Sequence, residues 1–285
     1  MPIAPACSGF PRKGRVVMAA RKWLLTQNSQ LRKLGVFNWP LPAAEVKMPN
    51  GRFMNVCPSA GACRDLCYAR TGTYRFANVL AAHTRNLMYI LERPQEWAAE
   101  MKEELKHKRY QGKFVRLHDS GDFFSADYLK LWLDIMQESP DVIFYTYTKE
   151  VSLFREIVEP DVPANFRFRY SLGGREDRLL DLTRDRHAEV FPDEDAVAAA
   201  AYETNSESDL VAASDSLRVG MPANPIRHLQ RLQGRETFGE IQRRQDTARA
   251  ERLERARAKA AASTTAAAVE PVASKATDDP VLLAS

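Results

Sequence analysis

With 285 residues, 45% of them hydrophobic, the chain is long enough to bury a large core, and one domain with a tail is the expected organisation. Its 41 basic and 37 acidic residues leave a formal charge of +4, weak support for a nucleic-acid partner, and no apolar run approaches the roughly 20 residues of a membrane span. The N-terminal stretch is basic without the continuous apolar core of a secretory signal, so a cytoplasmic protein without membrane contact is expected.

In chain order, residues 1–20 read as a flexible leader, 21–234 as the folded domain, and 235–285 as a polar helix followed by a disordered tail. Pro40 and Pro42 break any helix in their neighbourhood. Residues 51–56 read as a short strand entering Cys57. Residues 74–91 have helical periodicity, with Phe76, Val79, Leu80, Leu87, Ile90 and Leu91 largely on one side, and residues 97–110 form a second helix. Phe114–Leu117 is a strand, and Ser125 caps a helix that buries Tyr128, Leu129, Trp132 and Ile135. Residues 142–147 and Phe166–Ser171 are further strands, with a helix over 152–158 between them. Val190-Phe191 and residues 217–221 are candidates for two more. Strands alternating with helices at this spacing mean parallel βαβ units, as a barrel or an open doubly wound sheet.

The chain has four cysteines, and Cys57, Cys63 and Cys67 fall within eleven consecutive residues. In a reducing compartment such clustering points to metal rather than disulfides. Cys7 stands apart. The C-x5-C-x3-C spacing lets one small-residue loop wrap three corners of a cluster and leave a fourth position open for chemistry. A structural zinc with a histidine as fourth ligand, or plain buried thiols, are the alternatives.

Ligands of parallel β/α folds gather at the carboxyl ends of the strands. There lie His118, Asp119, Ser120, Gly121 and Asp122 after one strand, Lys149 after the next, and Ser171, Gly173 and Gly174 after the third. Gly121 permits a positive φ or close approach. Asp119 and Asp122 suit an ammonium or a ribose, and otherwise serve as helix-start polar groups. Lys149 suits a carboxylate or phosphate, or is a snorkelling surface lysine. Arg167 and Arg169 share one face and would need an anionic partner if turned inward. His118, Asp119 and Asp122 together also fit a metal-dependent hydrolase.

The three-cysteine loop, with an aromatic beside the last cysteine (Cys67-Tyr68), resembles the radical S-adenosylmethionine superfamily, whose usual spacing is C-x3-C-x2-C. More closely, residues 28–43, 57–72, 115–122, 145–149 and 171–174 resemble the phage gene-product-88 domain family. The superfamily resemblance implies a partial (β/α) barrel of parallel strands. It implies a [4Fe-4S] cluster on Cys57, Cys63 and Cys67, with S-adenosyl-L-methionine on its open iron. Gly121, Asp122 and Ser171 would touch that cofactor, and His118, Asp119 and Lys149 are candidates for the substrate side. An electron donor such as flavodoxin or ferredoxin would be the partner, and a nucleotide or nucleic acid the substrate. The second expectation is a non-catalytic, nucleic-acid-associated phage protein with a structural zinc.

Overall fold

The computed structural model describes residues 23–48 and 50–267, with side chains described through residue 261. The leader, Cys7 and the last part of the tail lie outside the described residues.

The core is a seven-stranded parallel sheet. Its first strand, β1 (Val36–Trp39), has all four residues buried, which two-sided burial in a parallel sheet demands. An excursion follows, with β2 (Glu45–Lys47) and β3 (Phe53–Asn55) paired antiparallel. The chain then runs through α2 (Ala62–Asp65), α3 (Ala77–Glu92) and α4 (Pro94–Leu105) into β4 (Phe114–Leu117). Next come α5 (Ala126–Gln137), β5 (Ile143–Thr148), α6 (Val151–Ile157), β6 (Phe166–Ser171) and β7 (His187–Phe191). After α7 (Glu194–Ala199) come β8 (Glu203–Thr204), β9 (Arg218–Pro222), α8 (Arg227–Gln233) and α9 (Phe238–Ala267). A short α1 (Ser29–Lys33), capped by the Asn28 side chain, precedes β1.

The strand order is β1-β4-β5-β6-β7-β9-β8, with every pairing in this sheet parallel. Neighbours in space are neighbours in sequence except at the β8 edge. Right-handed crossovers taken in one direction put successive helices on the same face. Accordingly Leu87, Trp97, Met101, Trp132 and Phe154 pack with Val115, Leu117, Phe144 and Phe166 in one core. Trp97 sits 5.6 Å from Trp39 and 5.1 Å from Trp132, centroid to centroid. Sequential order is common to partial barrels and singly wound sheets; the switch point of a doubly wound sheet is missing from β1 through β7. No helix among the described residues is long and apolar enough to cross a membrane.

Strand alternation turns Arg116, Tyr145 and Arg169 to the other face, where the turn Asp209–Ala213 lies. Arg116 pairs with Asp209 at 2.9 Å, and the Tyr145 hydroxyl donates to the same carboxylate. Arg169 needs no anion, contrary to the sequence reading. Its guanidinium donates to the carbonyls of Ala212 and Ser214, each at 2.8 Å, and to that of Ser216. Arg167 donates to the Ala164 carbonyl at 2.8 Å.

Two local expectations are corrected. The strand at 51–56 exists only as β3, outside the parallel sheet; Phe53 and Asn55 are exposed and Met54 half-buried, unlike the strands of a sheet buried on both faces. The apolar stripe expected on the helix at 74–91 is found only in part. Leu87 and Ile90 are buried as expected, whereas Phe76, Leu80 and Leu91 are exposed, and α3 buries the polar His83 and Asn86 beside them.

Candidate functional site

The carboxyl ends of β4, β5, β6, β7 and β9 open into one cavity of about 180 Å³, closed on the other side by the cysteine loop. Cys57, Cys63, Cys67, His118, Asp119, Gly121, Asp122, Lys149 and Ser171 all line it. Thus all nine residues assigned from the sequence to the cluster, the cofactor or the substrate side come to a single place, while Gly173, Gly174, Arg167 and Arg169 do not line it.

The cysteine loop is held by groups from distant parts of the chain. Glu150, just beyond β5, accepts the Ser59 N–H at 2.9 Å and the Ser59 hydroxyl at 2.8 Å. The Cys63 N–H donates to the Gly173 carbonyl at 3.0 Å, and Ala60 bridges Gly174 antiparallel. From α9, the Gln242 side-chain oxygen accepts the Ala62 N–H at 2.7 Å. Phe238 and Ile241 of that helix pack on Ala62 and Leu66. Neither Glu150 nor Gln242 was singled out in the sequence. Adjacency to Lys149 was a signal for the first, and nothing local signalled the second.

The three thiols share the cavity wall but do not meet. Among the described residues, no three His, Cys, Asp or Glu side chains converge where a metal ion could sit. The expected convergence on one ion is therefore not found, for zinc or for any other single ion. Cys57 Sγ accepts the Ala44 N–H at 3.4 Å. Burial pushes the Cys57 thiol well up, with Asp122 and the other two cysteines adding to the rise. Burial and then Cys63 push the Cys67 thiol up to about 12. The negative charge of one thiolate thus opposes the ionisation of its neighbours.

Several lining groups are already engaged. Asp122 accepts from the Phe123 N–H and the Thr148 hydroxyl, each at 2.8 Å, and from the Lys149 N–H at 2.9 Å. Burial nevertheless raises its pKa. The Lys149 ammonium donates to Ser171 Oγ at 2.7 Å, the Ser171 carbonyl at 2.9 Å and the Leu172 carbonyl at 3.0 Å. Together they join the ends of β4, β5 and β6. Gly121, at φ +83°, approaches Leu41 so closely that a Cβ would stand 2.6 Å from the Leu41 Cβ. Its conformational freedom serves this contact.

Asp119 and His118 keep free capacity. Tyr68 donates its hydroxyl to the Asp119 carbonyl, and Tyr74 donates to Asp119 Oδ2 at 3.2 Å, while Asp119 Oδ1 has no partner among the described residues. His118, at φ +60°, places Nε2 2.8 Å from the Tyr128 hydroxyl, and its Nδ1 is unpaired among the described residues. Burial lowers its pKa to about 3. Buried polar atoms without partners are uncommon, and such groups beside shifted pKa values mark functional sites.

The model of the gene product 88 family matches residues 16–256, most of the chain. The chain belongs to the gene product 88 family. A relative, the gene 88 protein of Mycobacterium phage L5, is 28% identical over 116 residues, covering 38% of this chain and 48% of the relative. The chain thus spans about half the length of that curated relative. No solved structure matches. The family match takes in the cysteine loop, the strand-end residues and the start of α9, so one family unit contains the whole cavity.

Proposed function

We propose that this gene product 88 protein is an iron–sulfur enzyme of the radical S-adenosylmethionine type, with its cluster on Cys57, Cys63 and Cys67 and its cofactor in the adjoining cavity. One observation carries the proposal: three thiols line one cavity at the carboxyl edge of a sequentially ordered parallel sheet. A cubane cluster spaces its thiolates more widely than a single ion does, which suits sulfurs that share a wall without converging. The sheet would then be a partial barrel with the cluster at its mouth.

Bound there, a reduced cluster would supply the electron that cleaves the sulfonium of S-adenosylmethionine. The chain's own residues do the rest. Cys57 and Cys67 must lose protons they hold tightly when they become ligands, so loading is coupled to proton release. Glu150, Gly173 and Gln242 fix the loop that carries the thiols. Asp119 Oδ1 is positioned to accept from an ammonium or hydroxyl, and neutral His118 offers an uncharged polar edge. Asp122 and Lys149 hold the strand ends in register instead of contacting ligand. Such an enzyme works in a reducing cytosol with a flavodoxin or ferredoxin as donor. A nucleotide or nucleic acid remains the substrate class suggested by the phage relative.

The test is anaerobic incubation of the iron- and sulfide-reconstituted protein with dithionite and S-adenosylmethionine. Formation of 5′-deoxyadenosine, lost in Cys67→Ala, is expected. No 5′-deoxyadenosine from protein that holds a full cluster overturns the enzyme assignment.

A further inference from the structure

The helix α9 has two parts with different surroundings. Up to Ala248 it retains contact with the body, through Phe238, Ile241 and Gln242. From Arg249 to Ala261 every residue is exposed, so this part of the helix projects into solvent. The apolar residues on this projecting part are alanines and Leu253, which is 52% exposed. No apolar stripe is offered to a partner helix.

Its charges are segregated. At 3.6 residues per turn, Arg244, Arg249, Arg252, Arg255 and Lys259 fall within a face of about 140° that contains no acidic residue. Asp246, Glu251 and Glu254 lie outside this face, beside Arg243 and Arg257. Arg244 pairs with Glu236 at 2.8 Å, and Arg255 with Glu251 at 3.5 Å. Arg249, Arg252 and Lys259 make no ion pair among the described residues. They run along about 15 Å of helix at 1.5 Å per residue. A net charge of +4 for the whole chain conceals this local concentration.

We infer that the projecting part of α9 is a docking surface for the phosphate backbone of duplex DNA. A single-sign stripe along an exposed helix is complementary to a regular row of phosphates. The major groove of B-form DNA, about 12 Å wide, admits a lone α-helix, whereas that of A-form RNA is too deep and narrow. The acidic side then faces solvent. The contacts are to backbone, so binding is independent of sequence and steeply salt-dependent. This inference does not depend on the cysteines holding a cluster.

Fluorescence anisotropy of a labelled 20-base-pair DNA duplex with the full-length protein tests it. Binding is expected at 50 mM salt, with three to four phosphates neutralised and log K falling against log salt with a slope of about −3. The triple variant Arg249→Glu, Arg252→Glu, Lys259→Glu should bind at least tenfold more weakly with an unchanged melting temperature, because glutamate is also a good helix former. A control of equal charge change on the body, Lys47→Glu, Arg52→Glu, Lys108→Glu, should stay within twofold of wild type. No binding at 50 mM salt overturns the inference, as does a triple variant that binds normally. Equal weakening in the control reduces the effect to net charge and overturns it. Equal or tighter binding of an RNA duplex or of single-stranded DNA overturns the assignment to duplex DNA.

Discussion

The side-chain oxygen of Gln242 lies 1.8 Å from where a Cβ on residue 61 would stand, so only glycine at that position lets Gln242 reach the Ala62 N–H. The C-terminal helix and the cysteine loop are thereby fitted to one another across 180 residues of sequence. Gln242→Ala leaves a buried N–H unpaired, a loss of about 1–3 kcal/mol. Thermal denaturation should show a melting temperature lower by several degrees, and Gly61→Ala should show at least as large a drop. Unchanged melting temperatures in both variants contradict the fit.

Glu150 gives the cysteine loop a pH dependence. Burial, and after it Asp122, raise its pKa to about 7, and burial raises Asp177, which holds Gly173 and Gly174, to about 6. A carboxyl whose folded pKa is raised binds its proton more tightly when folded. Its contribution is complete below about pH 4.5 and is lost as pH rises through 7. The Glu150→Gln variant, which keeps an acceptor for the Ser59 N–H, should therefore lose less stability than wild type between pH 5 and pH 8. Parallel stability curves for the two proteins over that range would exclude a titrating Glu150.

Lys149 distinguishes a structural cation from a catalytic one. Its three donors all meet oxygens of Ser171 and Leu172. Lys149→Ala should lower unfolding free energy by about 3 kcal/mol in urea titration, since charge-assisted bonds to buried carbonyls disappear. Full stability in that variant would mean that Lys149 is free to serve a ligand.

His118 should be neutral across the working range. Its burial lowers the pKa to about 3, so its NMR ring resonances should not titrate between pH 5 and pH 8. As the folded pKa is depressed, the stabilising contribution is complete above about pH 6.5 and is lost as pH falls toward 3. A midpoint near 6.5 would show the ring to be solvated.

The parts legible in the sequence are those governed by local pattern. Phe114–Leu117, Phe166–Ser171 and the Ser125 cap follow from strand-forming runs and a capping serine, and each is found in place. The gathering of candidates at strand ends follows from the parallel topology. β1 was missed because four fully buried residues beside two prolines show no alternation. The grip on the cysteine loop was invisible because Glu150, Gly173 and Gln242 act across the fold. The Arg169 cage was unreadable for a related reason: backbone carbonyls, which every residue carries, replace the anion that its charge suggested.

What the three thiols bind decides the function of the cavity. The direct measurement is iron and acid-labile sulfide per chain after anaerobic reconstitution, with the absorbance spectrum, for wild type and for Cys57→Ala, Cys63→Ala and Cys67→Ala. Close to four irons and four sulfides with a brown band near 400 nm, lost in each variant, is expected for a four-iron cluster on these cysteines. A colourless protein with stoichiometric zinc, or iron retained when any of the three is replaced, would contradict it.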